Sequence, residues 1–364
     1  GCNHCLAFST GMAALAAVVR LCSSGDEVLL SDDSYGGTYR LLAKGAKEAG
    51  VSVKYVAMDG PDGPARLERA FTDRVKLVMV ESPTNPMQRV CDLRGLSAVC
   101  KKHNALLEVD NTLMSPLLQK PLALGADIVV HSATKFICGH SDTMAGVCCV
   151  DDEALFKRLY FVQNAEGTGL APFDCFLALR GLKTMALRVD RAQQNAIAIA
   201  SYLRQHKLVT KVYYATSDDH PDRELHLSQA TGGGCVVCFT TGDVELSKHV
   251  VSATKLFSIT VSFGSVHSLI SCPCDMSHAS IPAEVRAARG LPDDLVRIST
   301  GIEDVEDLIA DLDAAFAIAA REAGVGEFAR NGALTPAQKR EDELLRRIAV
   351  LEARPVSYTH LRAH

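Results

Sequence analysis

Residues 106–140, LLEVDNTLMSPLLQKPLALGADIVVHSATKFICGH, limit the folds open to this chain more than any other stretch. Two short apolar runs, Leu106 to Val109 and Ile128 to His131, read as buried parallel strands joined by a helical segment of crossover length. The first run ends in Asp110, and the second continues into Ser132, Thr134 and Lys135. Ligands of open α/β sheets sit outside the carboxyl ends of the strands, so an acid and an amine at two such ends predict a shared site. A lysine there is desolvated, which lowers its pKa and makes it a better nucleophile toward an aldehyde.

Other segments supply further candidates. Phe8 to Leu15, FSTGMAAL, reads as a turn entering a helix that continues through Val19, with Ser9 or Thr10 as its cap. Free amides at such a start favour phosphate, and Gly11 lets backbone approach an anion. Gly25 to Asp33 reads as a turn and strand leading to Tyr35 beside two glycines, where an aromatic ring can stack on a flat ligand. Val75 to Glu81 is another strand, and the two prolines bracketing Asn85 make the following loop rigid. Leu295 to Asp307 gives a strand bearing Arg297, whose planar fork suits a carboxylate, and then a helix to about Ala319. Each of these also fits a plainer role, respectively an ordinary capped helix, a core-capping loop tyrosine, a connector and a surface ion pair. Lys135 alone also fits a lysine tipping a strand into solvent.

The remaining pattern predicts a helix from Asp152 to Ala165, a flexible loop over Gly167 to Gly169, and one long helix from Arg180 to about Gln205. Strands follow at Val209 to Ala215, Cys235 to Thr240 and Phe257 to Ser262, and Gly232 to Gly234 reads as a bend into a strand.

Asp110 in VDNT, Lys135 in HSATKFICGHSD and the earlier DDSYGGT resemble the fold-type I, pyridoxal-phosphate enzymes of the cysteine and methionine metabolism (trans-sulfuration) family. The likeness runs from about Cys5 to Phe316. It implies an α/β fold with a three-layer α/β/α large domain on a mostly parallel sheet, over 1–181, followed by a smaller α+β domain, over 182–320. By the same resemblance, Lys135 binds pyridoxal phosphate covalently and then acts as base. Tyr35 stacks on the pyridine ring, Asp110 pairs with its nitrogen, and Gly11, Met12, Ser132 and Thr134 hold the phosphate. Asn85 lies near the cofactor's phenolic oxygen and the substrate carboxylate, while Ser262 and Arg297 contact the substrate. The segments NAEGTGLAPFDC, TVSFGSVHSLISCP and MSHASIPAEVRAARGLPDDLVRIS are most similar to plant-type members that cleave the Cβ–S bond of L-cystathionine in methionine biosynthesis. Val261 stands where the γ-cleaving and γ-replacing members typically carry an acid, although methionine γ-lyases can also be apolar there. Cystathionine γ-lyase, γ-synthase and methionine γ-lyase chemistry therefore remain alternatives, as does a silent subunit. Family members have an N-terminal arm whose Tyr and Arg reach a neighbour's phosphate. This chain starts after that arm, which suggests a truncated sequence, and the resemblance implies a homotetramer formed as a dimer of dimers.

The net charge of −5, with acids and bases interspersed, gives no reason to expect nucleic acid or a membrane as partner. Thirteen scattered cysteines without a secretory signal suggest free thiols in a soluble, reducing compartment. The resemblance to plant-type members implies a plastid if the source is a plant or alga, otherwise the cytoplasm. Cys2-x-x-Cys5 and Cys235-x-x-Cys238 both read as buried thiols and not as zinc sites; the second pair lies in an apparent strand, CVVCF, where residues three apart point to opposite faces. Beyond Arg321 a helical extension is expected over Thr335 to Ala353, and Pro355 to His364 has no pattern and reads as foreign sequence.

Overall fold

The computed structural model describes residues 2–276 and 283–323. The extension at Thr335 to Ala353 and the tail lie outside the described residues, as do residues 277–282 of the MSHASIPAEV segment.

Strands β1 (His4–Phe8), β2 (Glu27–Ser31), β3 (Ser52–Val56), β4 (Val75–Glu81), β5 (Leu106–Asp110), β6 (Ile128–Ser132) and β7 (Gly146–Val150) form one seven-stranded sheet in the order β1-β7-β6-β5-β4-β2-β3. β2 through β6 run parallel, and β7 is antiparallel to both β6 and β1. The helices pack against both faces through two apolar clusters, one around Leu15, Val18, Leu30 and Ile128, the other around Leu67, Leu96, Leu107 and Val129. Burial on both faces is why these strands are apolar runs and do not alternate.

A second sheet is built from β8 (Lys211–Tyr213), β9 (Val236–Thr240), β10 (Ser258–Ile259), β11 (Leu269–Ser271) and β12 (Val296–Ser299), in the order β10-β11-β12-β9-β8. Helices Met185–Gln205, Val244–Ala253 and Val305–Glu322 cover it, packing Ile199, Leu203, Val250 and Phe316 onto Val237, Phe239 and Ile298.

Three expectations need correction. The β5–β6 crossover is not a full helix but a four-residue turn of helix, Ser115–Leu118, followed by a 3₁₀ turn, Pro121–Leu124. Pro116 and Pro121 each start a new turn and prevent continuation of the one before. The long helix expected from Arg180 is two helices, Pro172–Leu182 and Met185–Gln205, parted at Thr184, which leaves helical geometry with φ −111°. The strand expected at Phe257 to Ser262 shortens to Ser258–Ile259, because Ser262 turns into the left-handed region at φ +94°.

Glu108 is an anomaly of this core. It is 1% exposed, two residues before Asp110 on the same face of β5, and its Oε1 has no hydrogen-bond partner. Burial, followed by the carboxylates of Asp110 and Glu81, pushes its carboxyl well above the usual range, so folding favours its protonated form. In the unfolded chain it ionises near pH 4.3, so stability is lost as pH rises above that value toward the folded pKa. Glu108→Met is expected to raise stability at pH 7 by about 1–3 kcal/mol, with a much smaller gain at pH 4. Denaturant midpoints at the two pH values test this, and an equal gain at both would contradict it.

Candidate active site

The cleft forms at the carboxyl ends of the parallel strands, where Asp110 ends β5 and Ser132 ends β6. It encloses about 210 Å³ and is lined by Thr10, Gly11, Met12, Tyr35, Asn85, Asp110, Ser132, Thr134 and Lys135, with Glu81, Thr112 and Phe263 among the remaining walls. Of the ten residues singled out in the sequence, only Ser262 and Arg297 stand outside this lining, and both connect to it by hydrogen bonds.

Lys135 follows β6 through a short turn, its amide bonding back to the Ser132 carbonyl at 3.1 Å. Its Nζ donates to Ser262 Oγ at 2.5 Å and lies 5.2 Å from the centre of the Phe263 ring. Burial, then the Arg297 charge, lower its pKa to about 8. The loop carrying Ser262 presses tightly on the lysine. A Cβ on Gly264 would lie 2.9 Å from both Lys135 Cβ and the Phe136 amide nitrogen. Non-glycine residues held as Ser262 is, at positive φ, carry strain of order 1–3 kcal/mol and concentrate at functional sites.

Asp110 is fixed by its own turn. Thr112 donates from its amide at 3.0 Å and its hydroxyl at 2.5 Å, both to Oδ1. Thr112 Oγ1 in turn accepts from the Ser132 amide at 2.8 Å, so one hydroxyl ties the ends of β5 and β6. Burial raises the Asp110 pKa, opposed by the two Thr112 bonds. Glu81, in register with Asp110 on β4, is pushed up further by burial and by the Asp110 charge. It accepts from the Tyr35 amide at 2.5 Å, which anchors the turn carrying that ring. Thr112 and Glu81 were missed in the sequence. The only local signals are the threonine two residues past a strand-end aspartate, which is Asx-turn spacing, and an acid ending an apolar strand.

Thr10, rather than Ser9, caps helix Gly11–Val19, its Oγ1 accepting from the Ala13 amide at 2.9 Å. A Cβ on Gly11 would sit 2.9 Å from Ser132 Cβ, so only glycine lets the helix start lie against β6. The Met12 sulfur instead packs on Gly37, beneath the half-exposed Tyr35 ring. Thr134 is already engaged: its hydroxyl donates to the Ala145 carbonyl at 3.2 Å and accepts from the Ala145 amide at 2.9 Å.

Arg297, on β12, is 2% exposed. Nη1 donates to Asn85 Oδ1 at 3.0 Å and Nη2 to the Ser262 carbonyl at 2.8 Å. Asn85, Arg297, Ser262 and Lys135 thus form one hydrogen-bonded chain between the two sheets. Arg297 is therefore a buried cation at the cleft and not a surface salt bridge.

All thirteen cysteines are free thiols, and Cys235 and Cys238 are buried as expected. The expectation of burial fails for the other pair, because β1 is an edge strand: Cys5 is exposed and Cys2 half-buried. Among the described residues, no cluster of His, Cys, Asp or Glu is suited to holding a metal ion, and no helix is long and apolar enough to cross a membrane.

A mostly parallel sheet with a desolvated lysine and a half-buried aspartate lining one cleft defines the architecture of a fold-type I pyridoxal-phosphate enzyme. The chain belongs to the family described as Cys/Met metabolism PLP-dependent enzyme, whose profile matches residues 1–317. It is 59% identical over 314 residues to the chloroplastic cystathionine beta-lyase of Arabidopsis thaliana, a match covering 86% of this chain and 67% of that protein. It is 56% identical over 313 residues to the chloroplastic cystathionine beta-lyase of Mimosa pudica, covering 86% and 68%. Among solved structures, cystathionine gamma-lyase from Lactobacillus plantarum complexed with L-serine matches with a TM-score of 0.84 at 37% identity, covering 86% of this chain and 82% of that one.

The cofactor of this family is pyridoxal phosphate, and the site fits it. An aldehyde requires an amine, supplied by Lys135 at a pKa of about 8. A ring nitrogen requires a carboxylate, and Asp110 lines the cleft with both Thr112 hydrogen bonds falling on Oδ1. A phosphate requires donors and close backbone, which Gly11 and Ser132 provide.

Proposed function

We propose that this chain is a carbon–sulfur lyase that cleaves L-cystathionine by β-elimination, giving homocysteine, pyruvate and ammonia. The observation that carries this reading is the chain from Asn85 through Arg297 and Ser262 to Lys135, with apolar Val261 beside Ser262. The 59% identity to a plant cystathionine beta-lyase supports it.

Pyridoxal phosphate, when bound, supplies an electron sink for charge developing at the substrate Cα. Lys135 Nζ would hold the cofactor through its aldehyde group, and as a free amine it is the group placed to take the proton from the substrate Cα. The Ser262 hydroxyl, 2.5 Å away, orients that amine. Asp110 holds a proton at the ring nitrogen, and Thr112 keeps its carboxylate aimed there. Tyr35 lends its ring as a face for the cofactor. The amides of Gly11 and Met12 and the Ser132 hydroxyl bind the phosphate. Thr134 joins them only by turning its O–H away from the Ala145 carbonyl, while its oxygen keeps the Ala145 amide. Arg297 takes the substrate carboxylate in place of Asn85, leaving the Asn85 amide to orient the substrate.

Val261 is 45% exposed and offers no charge to the distal amine of the substrate, which favours β- over γ-cleavage. Product analysis with L-cystathionine decides: homocysteine and pyruvate support the reading, whereas cysteine and 2-oxobutyrate would overturn it.

The chain acts as a homotetramer, a dimer of dimers. This is supported by helices Glu153–Glu166 and Pro172–Leu182, which expose the large apolar side chains Phe161, Phe173, Phe176 and Leu179 by 60% or more, as an interaction surface would. The chloroplastic names of both plant relatives support a plastid location if the source is a plant or alga.

A further inference from the structure

We propose that Cys5 and Cys149 form a redox modification site that exchanges with small-molecule disulfides, of which glutathione disulfide is the representative, to close a reversible cross-strand disulfide. The antiparallel ladder between β1 and β7 places Cys5 directly opposite Cys149. Directly opposed residues share a face of the sheet, and their Cα atoms are about 4.5–5.5 Å apart, inside the roughly 4.4–6.8 Å span a disulfide accepts. The two sulfurs are already in contact at 3.6 Å, so bond formation needs side-chain rotation and no shift of backbone.

Access and reactivity agree with the geometry. Leu6 and Phe8 turn into the core and leave Cys5 on the outer face of an edge strand, where it is exposed while Cys149 is half-buried. Cys149 donates its S–H to the Cys5 sulfur. That bond pulls the Cys5 thiol below the ordinary range against the opposing effect of burial, and it pushes Cys149 up. An accessible thiol whose ionisation its neighbour favours, beside a resolving thiol directly across the ladder, is the arrangement of redox-responsive cysteine pairs. Buried Cys100, Cys138, Cys148, Cys235 and Cys238 have thiols pushed up by burial and offer no comparable nucleophile.

The exchange balances without another oxidant. The Cys5 thiolate attacks one sulfur of glutathione disulfide, whose S–S bond breaks and releases one glutathione thiolate. The Cys149 thiol gives its proton to that thiolate or to solvent, and its sulfur attacks Cys5 in the mixed disulfide, releasing the second glutathione. Two protein thiols are oxidised to one disulfide, and one glutathione disulfide is reduced to two thiols. Cys2 is close enough to Cys5 to lower its thiol slightly and is the competing resolver. As a neighbour three residues away along the chain, it lacks the cross-strand register that Cys149 has.

The test is to incubate the full chain with glutathione disulfide, block the remaining thiols, and map peptides under non-reducing conditions. The expected product is a Cys5–Cys149 linked peptide that dithiothreitol reverses, with a thermal midpoint several degrees higher in the oxidised protein. Cys149→Ser is expected to accumulate a mixed disulfide of glutathione on Cys5, and Cys5→Ser to leave Cys149 unmodified. A Cys2–Cys5 link, an unmodified Cys5, or glutathione on Cys149 in the Cys5→Ser variant would each overturn the proposal. Because the wild-type map and its reversal require no variant, poor folding of a serine variant leaves the proposal exposed to refutation.

Discussion

Lys135→Ala is expected to leave a folded chain whose turnover of L-cystathionine falls by about 10²–10⁴-fold, the range for losing a positioned acid–base group. Borohydride should no longer fix the cofactor to the peptide that carries this position. The lowered pKa adds a test that uses the native protein. Only the neutral amine attacks an aldehyde, so the rate at which the cofactor-free chain takes up pyridoxal phosphate should climb with pH and level off above about 8. A lysine at its ordinary pKa of about 10.4 would keep climbing through pH 9. Continued climbing would show that desolvation at the end of β6 is weaker than its burial implies. Turnover within tenfold of wild type in Lys135→Ala would remove this residue from the mechanism.

The second large effect is expected at Arg297. Lysine in its place keeps the charge but loses the fork, and one charge-assisted hydrogen bond to the substrate carboxylate is worth about 1.5–3 kcal/mol. Arg297→Lys should therefore lower kcat/KM by about ten- to a hundred-and-fifty-fold, mainly through KM, since the carboxylate is held throughout the reaction. A lysine also cannot span the Asn85 amide oxygen and the Ser262 carbonyl as the guanidinium does. Some of the loss should then appear in kcat, through a less well-ordered Ser262 beside Lys135. Unchanged KM with reduced kcat would mean that Arg297 serves only to position the loop.

These residues differ in how far the sequence reveals them. Asp110 and Lys135 could be found because each follows a short apolar run, and the run length and the strand-end rule together place them in one crevice. Strand Val75–Glu81 could be read for the same local reason, and the helix start near Gly11 from its capping residues, though these left Ser9 and Thr10 undecided. Local pattern failed where proline or a strained residue interrupts an otherwise apolar segment, as at Pro116, Pro121 and Ser262. It also failed where a role depends on register. Glu81 matters because β4 sets it beside Asp110, and nothing within its own segment announces that. The contact between Asn85 and Arg297 joins residues 212 positions apart, and neither residue on its own points to the other.

That contact also bears on how the enzyme exchanges substrate for product. A guanidinium sealed in a dry cleft would bind any carboxylate so strongly that departure would be slow. Here both ends of the fork rest on amide oxygens before substrate arrives. On the proposed reading, arrival of a carboxylate trades one satisfied arrangement for another, and departure reverses the trade without stranding a bare cation. In that reading the arginine is a latch closed in both states, selecting for carboxylates by geometry and left with no bare donor when they depart.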